Sequence, residues 1–93
     1  MAEVAATVTM YASGYCPYCA MAERLLNQRG VCDIVKIRID LDPEQRAAML
    51  ARTQRRTVPQ IFIDDHHVGG FDDLSALDRA GRLTLLLSRS PTV

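Results

Sequence analysis

The sequence predicts an α/β fold in which helices flank a mixed sheet of four strands. β-branched segments alternate with helical patterns, only a short turn separates the last two strand segments, and no repeat or linker interrupts the order β-α-β-α-β-β-α-α. With 93 residues and 48% hydrophobic content, residues 1–93 are expected to form one domain around a packed core.

The first half of the chain predicts a strand, a helix and a second strand. Residues 7–11 are rich in the β-branched and aromatic residues that strands favour. Pro17 begins a helical pattern at the position where proline is tolerated, and Gly30 ends it. Residues 35–39 alternate apolar with charged side chains, which is the period of a strand. Because a helix joins the two strands, they should lie parallel.

The next segment predicts a second helix and a hairpin. Residues 42–45 (DPEQ) match a helix start, with Asp42 as the cap and Pro43 as the first helical residue. Gln60–Ile63 and residues 66–68 are expected to pair as antiparallel strands, because the two aspartates between them suit a tight turn.

Two further helices are predicted at the end of the chain. Asp72 and Asp73 are expected to cap a third helix, which carries Leu74 and ends near Gly81. Residues 83–87 predict a short fourth helix that covers the sheet.

Composition and charge exclude several functional classes. The 11 acidic and 11 basic residues balance, which leaves no basic surface for a nucleic acid. The longest aliphatic stretch, residues 83–87, is far too short to span a membrane. No basic residue precedes Arg24, so a secretory signal is not expected. We therefore expect a cytoplasmic protein, in a compartment where structural disulfides are rare.

The most informative feature is the segment Cys16-Pro17-Tyr18-Cys19, at the turn from the first strand into the first helix. A residue before proline is disfavoured in helical geometry, so Cys16 should be the N-cap. Its sulfur should then accept hydrogen bonds from the amides of Tyr18 and Cys19, and the helix dipole adds positive potential. Both effects favour a thiolate and lower the pKa of Cys16, with Cys19 within reach as a resolving thiol.

Structural zinc is the alternative interpretation of two cysteines at this spacing. A zinc site needs two more ligands, and the candidates are Cys32, His66 and His67. A helix start containing proline does not suit such a site, so no metal is expected. Cys32 has no partner at redox spacing and is expected to be a buried, inert thiol. An exposed thiol open to modification by glutathione is the alternative.

Three motifs together resemble one family. CPYC at 16–19, TVPQIFID at 57–64 and GGFDDL at 69–74 occur in the order and spacing of the dithiol glutaredoxins, in particular those of the bacterial glutaredoxin 3 type. The resemblance covers about residues 7–88 and implies a thioredoxin-like fold.

The resemblance also implies roles for individual residues. Cys16 would be the nucleophile and Cys19 the resolving cysteine, with glutathione as the reducing cosubstrate. Pro59 matches the cis-proline of the family and would present the backbone of Val58 to an extended peptide. Gly69 would let the backbone come close to the tripeptide. The residues assigned to glutathione binding are Ser13, Tyr18, Arg46, Thr57, Val58, Pro59, Gly70, Phe71, Asp72 and Asp73.

One position departs from the family pattern. Many relatives carry lysine where this chain has Ser13, and that lysine meets the glycine carboxylate of glutathione. Arg46 is therefore expected to hold the carboxylate, with Ser13 contributing at most a hydroxyl. The alternatives are that Arg46 lies on a solvated helix face and that Asp72 and Asp73 only cap a helix. His66 and His67 are interpreted as surface residues of the hairpin without chemistry.

These inferences predict a glutathione-dependent thiol–disulfide oxidoreductase that reduces protein disulfides and protein–glutathione mixed disulfides. Its partners would be glutathione and protein disulfides, with glutathione reductase acting indirectly through glutathione. A monomer that binds neither nucleic acid nor membrane is expected. One alternative is a thioredoxin-like electron carrier reduced by a flavoprotein reductase. Another is an iron–sulfur carrier that holds a cluster with Cys16 and glutathione, although Pro17 stiffens the turn and limits the space there.

Overall fold

Parallel and antiparallel strands share one sheet, as the sequence predicts. The computed structural model describes residues 4–88. The strands are β1 (Val8–Ala12), β2 (Ile34–Arg38), β3 (Gln60–Ile63) and β4 (His66–Gly69), and the helices are α1 (Pro17–Gln28), α2 (Pro43–Thr53), α3 (Phe71–Arg79) and α4 (Leu83–Ser88). The sheet order is β2-β1-β3-β4, with β1 parallel to β2 and antiparallel to β3, and β3 antiparallel to β4. The predicted thioredoxin-like architecture is confirmed.

The sheet separates two hydrophobic clusters. On one face, α1, α3 and α4 pack around fully buried side chains that include Leu26 and Leu74. On the other face, Met49 of α2 packs with Tyr11 and Phe62. Successive side chains of a strand point to opposite faces, so β1 contributes to both clusters. Each fully buried aliphatic side chain stabilises the fold by about 1.5–3 kcal/mol, so both clusters hold the helices against the central strands.

The hairpin contains an irregularity in its register. Ile61 pairs with Gly69, whereas Phe62 pairs with His67, so Val68 is an extra residue on β4. Such an insertion re-aims the side chains beside it. His67 consequently lies opposite Phe62 and on the same face of the sheet.

Helix α3 begins earlier than the sequence suggests. Gly70 is its N-cap and Phe71 its first residue, so Asp72 and Asp73 lie inside the first turn and neither occupies the N-cap position. Asp73 is the third helical residue, and its carboxylate accepts a hydrogen bond from the Gly70 amide at 2.9 Å. An acidic residue at the third helical position, which bonds back to the N-cap amide, cannot be told from an acidic N-cap residue by sequence alone.

Cys32 is exposed, which contradicts the expectation of a buried thiol. Gly30 adopts a positive φ of 95° and turns the chain after α1. Val31 then takes the buried position, with 2% of its surface exposed, and the next side chain faces outward. Within residues 4–88, no helix combines the length and the apolar character needed to cross a membrane.

Candidate active site

The N-terminus of α1 holds the two cysteines of the CPYC segment. Cys16 is the N-cap, with φ −149° and ψ 94°, and Pro17 is the first helical residue. The amide of Cys19 donates to the sulfur of Cys16 over 3.1 Å. The predicted N-cap position of Cys16 is confirmed. Of the two amides expected to donate to its sulfur, Cys19 does so, whereas Tyr18 makes no such hydrogen bond within residues 4–88.

The two sulfurs differ in their surroundings. A disulfide joins Cys16 and Cys19, whose Cα atoms lie 5.2 Å apart. Cys16 is half-buried, whereas Cys19 is only 6% exposed and belongs to the hydrophobic core. The sulfur of Cys16 lies 3.8 Å from the carbonyl oxygen of Val58. An external thiol or disulfide therefore meets Cys16 first, and Cys19 is placed to react only with its neighbour.

A cavity of about 350 Å³ lies beside this pair. It brings together all the residues that the resemblance assigns to glutathione binding except Ser13 and Arg46. The Val58–Pro59 peptide bond is cis, as the resemblance implies. The ring centroids of Tyr18 and Phe71 lie 6.3 Å apart at one side. The lining residues are Tyr18, Arg55, Thr57, Val58, Pro59, Gly70, Phe71, Asp72 and Asp73.

Arg55 lines the cavity but is not among the residues that the resemblance assigns to glutathione binding. Its guanidinium pairs with the Asp73 carboxylate at 3.0 Å. The Gly70 amide and the Arg55 side chain both donate to that carboxylate and lower the pKa of Asp73. Asp72 is exposed, and its side chain makes no hydrogen bond within residues 4–88. In the sequence, Arg55 belongs to the basic pair Arg55-Arg56 directly before Thr57, and such a pair is either solvated or able to attract an anionic ligand.

Arg46 and Ser13 lie outside this cavity. Arg46 is exposed on α2 and lines a separate cavity of about 290 Å³ with Arg56, Met49 and Leu50. Ser13 is half-buried and directly follows β1. Their assignment to the glycine carboxylate stays a prediction.

His67 differs from the expected surface histidine. His66 is exposed, but His67 is half-buried and stacks on Phe62 with ring centroids 4.9 Å apart. Its Nε2 atom lies 2.8 Å from Oε1 of Gln60. Burial of the ring, followed by the positive charge of Arg55, lowers the pKa of His67. The interpretation of His67 as a surface residue is therefore wrong.

Comparison with known proteins identifies the family. The glutaredoxin family profile matches residues 8–68. The chain belongs to the glutaredoxin family. A glutaredoxin of Neisseria meningitidis serogroup B is 54% identical over 82 residues, which are 88% of this chain and 96% of that protein. Glutaredoxin 3 of Escherichia coli K12 is 48% identical over 82 residues, which are 88% of this chain and 98% of that protein.

A solved structure of the family has the same fold. The crystal structure of a buckwheat glutaredoxin–glutathione complex superposes with a TM-score of 0.80 at 32% identity, over 88% of this chain and 76% of that one. Glutaredoxins are glutathione-dependent thiol–disulfide oxidoreductases. In this member the Cys16–Cys19 dithiol is the redox centre.

The loop before Cys16 is tied to the end of β2 in this glutaredoxin. Arg38 donates two hydrogen bonds to Asp40, at 2.8 and 2.7 Å. Asp40 in turn accepts the Gly14 amide at 3.1 Å. The Arg38 hydrogen bonds, assisted by that amide, lower the pKa of Asp40 to about 2. Within residues 4–88, no three His, Cys, Asp or Glu side chains converge as ligands for a metal ion.

The geometry at the start of α1 predicts an acidic Cys16. In a Cys19→Ser protein that also carries Cys32→Ser, the remaining thiol should titrate well below the free-thiol value of about 8.5, because an amide and the helix dipole favour the thiolate. Ultraviolet thiolate absorbance followed against pH measures this. The matched control is Cys16→Ser with Cys32→Ser, which leaves only Cys19 and should lack the low transition. A single transition above about 8 for Cys16 contradicts the prediction.

The Arg38–Asp40 pair predicts a specific pH dependence of stability. The pKa of Asp40 is about 2 in the folded protein and about 3.9 in an unfolded chain. Because the folded value is the lower one, the contribution of this carboxylate is complete above the unfolded pKa and is lost as the pH falls through the folded pKa.

Urea midpoints of the wild type and Asp40→Asn, measured between pH about 6 and about 2, test this dependence. The stability difference between the two proteins should shrink toward the acid end, by a small amount because the pair is exposed. Asp65→Asn, in the exposed hairpin turn, is the control and should follow the wild type. A difference that stays constant down to pH about 2 rules out the proposed contribution.

Proposed function

We propose that this glutaredoxin reduces protein–glutathione mixed disulfides and protein disulfides, with glutathione as the electron donor. The observation that carries the proposal is the asymmetric pair at the start of α1. The half-buried Cys16 adjoins the cavity at Val58, and Cys19 lies behind it in the core. One sulfur is thus accessible to an external disulfide and the other is held for the second step.

The mixed-disulfide reaction uses Cys16 alone. Its thiolate attacks the glutathione sulfur of the substrate, forming a Cys16–glutathione bond while the protein thiolate leaves and takes up a proton. A second glutathione thiolate attacks the glutathione sulfur of this adduct. Glutathione disulfide is released and the Cys16 thiolate is restored. The Cys19 amide, 3.1 Å from the sulfur, stabilises the thiolate as it departs.

The protein-disulfide reaction uses both cysteines. Cys16 attacks one sulfur of the substrate disulfide and forms a mixed disulfide, and the other substrate sulfur leaves as a thiolate. The Cys19 thiolate then attacks the Cys16 sulfur and releases the second substrate thiol, which yields the Cys16–Cys19 disulfide. Two glutathione molecules reduce this disulfide in turn and leave as glutathione disulfide.

The cavity suits the γ-glutamyl end of glutathione. Helix α3 begins at its wall, and a helix N-terminus favours a carboxylate. Asp72 and Asp73 offer carboxylates to the ammonium group. Arg55 already pairs with Asp73, so an incoming ammonium shares or displaces that contact. Arg46 and Arg56, on the neighbouring cavity, are the cations available for the glycine carboxylate.

The proposed setting is a cytoplasmic monomer. In that compartment glutathione keeps thiols reduced, and glutathione reductase would recycle the glutathione disulfide that this protein releases. The decisive assay follows reduction of a glutathionylated peptide with glutathione and glutathione reductase, in parallel with thioredoxin reductase in their place. Turnover should require glutathione. Equal or faster turnover with thioredoxin reductase alone overturns the proposal.

The two cysteines are expected to divide the work unequally. Cys16→Ser should abolish reduction of both substrate classes, because no accessible thiol remains beside the cavity. Cys19→Ser should retain reduction of a glutathionylated peptide and lose the dithiol route to a protein disulfide. Initial rates with the two substrates measure the split.

Cys32→Ser serves as the control, because it removes an exposed thiol that has no assigned step. It should match the wild type on both substrates. Equal loss of both activities in Cys19→Ser is the result that contradicts the assignment.

Arg46 and Ser13 are expected to affect glutathione recognition in opposite directions. Arg46→Ala should raise the KM for glutathione by on the order of tenfold, since a hydrogen bond to a charged group contributes about 1.5–3 kcal/mol. Ser13→Lys should lower that KM and the pKa of Cys16 together, because a cation within about 4–6 Å favours the thiolate.

Steady-state kinetics at low and moderate salt measure both effects. Arg82→Ala is the matched control, because that exposed arginine lies between α3 and α4. If both test variants behave like this control, Arg46 and Ser13 do not belong to the binding site.

A further inference from the structure

Gln60 is a fully buried polar side chain next to the cavity. Its exposed fraction is 0%, and its neighbours along β3 are apolar core residues. The side-chain Nε2 atom lies 3.0 Å from the carbonyl oxygen of Thr57, and Oε1 lies 2.8 Å from Nε2 of His67. A buried amide is costly unless it is paired, so these two contacts define its orientation.

The direction of each hydrogen bond follows from the chemistry of the partners. The Thr57 carbonyl can only accept, so it receives the NH₂ group of Gln60. The Gln60 oxygen must then face His67, and Nε2 of His67 is the donor. The register shift in the hairpin places His67 on the same face as Phe62 and Gln60, and stacking on Phe62 fixes the ring.

The hydrogen bonds from His67 to Gln60 and from Gln60 to Thr57 determine the orientation of the Val58 backbone N–H. In a trans peptide the carbonyl and the N–H of the same plane point in opposite directions, and the Thr57–Val58 bond is trans, unlike Val58–Pro59. The Thr57 carbonyl turns inward to Gln60, so the Val58 N–H turns toward the side lined by the cavity. Within residues 4–88 this N–H has no backbone or side-chain acceptor.

We propose that His67 and Gln60 are positioning residues, which hold the Thr57–Val58 peptide plane so that the Val58 N–H is presented to a backbone carbonyl of the bound peptide. The substrate class is a glutathione-bearing peptide in extended form, so this inference rests on the proposed function. Neither side chain touches the reacting sulfurs. Their effect is on binding, because an amide that is held in place does not have to be ordered when the ligand arrives.

Three variants separate positioning from general stability. His67→Phe keeps an aromatic ring for Phe62 and removes the donor to Gln60. His67→Gln restores a side-chain N–H and is the rescue. Arg52→Met is the matched control, because Arg52 contacts Tyr11 and Phe62 on the same face and, within residues 4–88, makes no hydrogen bond to Gln60, Thr57 or His67.

Two measurements decide the proposal. The residual dipolar coupling of the Val58 N–H in the reduced protein reports the orientation of the peptide plane without any substrate. It should move in His67→Phe, return in His67→Gln and stay at the wild-type value in Arg52→Met. Kinetics with a glutathionylated peptide should show a KM raised about tenfold in His67→Phe with kcat within about twofold, which is the signature of binding lost equally from the ground state and the transition state.

Other outcomes overturn the inference. The inference is overturned if the dipolar coupling is unchanged in His67→Phe. It is also overturned if the coupling changes but KM does not, or if KM rises equally in Arg52→Met. If His67→Phe does not fold, the double variant Gln60→Met, His67→Phe replaces it, because that protein has no buried side-chain amide left unpaired. The same changes in the Val58 dipolar coupling and in KM are expected of it. Absence of glutathione-dependent turnover in the wild type overturns the proposed function instead, while the dipolar couplings still decide the orientation.

Discussion

The hydrogen bond from the Cys19 amide to the Cys16 sulfur organises the rest of this active site. It exists because Pro17 keeps Cys16 outside the helix while Cys19 is already inside the first turn. The same helix inserts Ala22 and Leu26 into the core at 0% exposure. The Cys16 sulfur is therefore attached to a helix that is anchored in the core, and its surroundings do not have to be ordered before reaction.

Sheet topology brings the other segments to this helix end. β1 and β3 are antiparallel, so the last residues of β1 lie beside the first residues of β3, at one end of the sheet. β4 runs antiparallel to β3 and finishes at the same end of the sheet. The start of α1, the segment before β3 and the start of α3 consequently meet there, although they are far apart in sequence. The site is therefore formed by three short connections at one end of the paired central strands.

Sequence patterns predicted the parts of this arrangement that depend on local chemistry. Proline at the first helical position and the helix-terminating Gly30 define the bounds of α1 from local sequence alone. The α3 boundary was missed because Gly70 has no side chain with which to signal a cap. Cys32 was misplaced because its exposure depends on the direction in which Gly30 turns the chain. Arg55 and His67 were missed for a third reason, since their partners are set by tertiary approach and by a one-residue irregularity in β4.

The unequal burial of the two active-site sulfurs restricts the covalent species that the protein can form. A bulky partner can be joined to the half-buried Cys16, whereas Cys19 at 6% exposure has no room for one. Within the CPYC segment, an external partner is therefore joined through Cys16 and not through Cys19. The Cys19 sulfur is held out of reach of external partners and is placed to exchange only with Cys16.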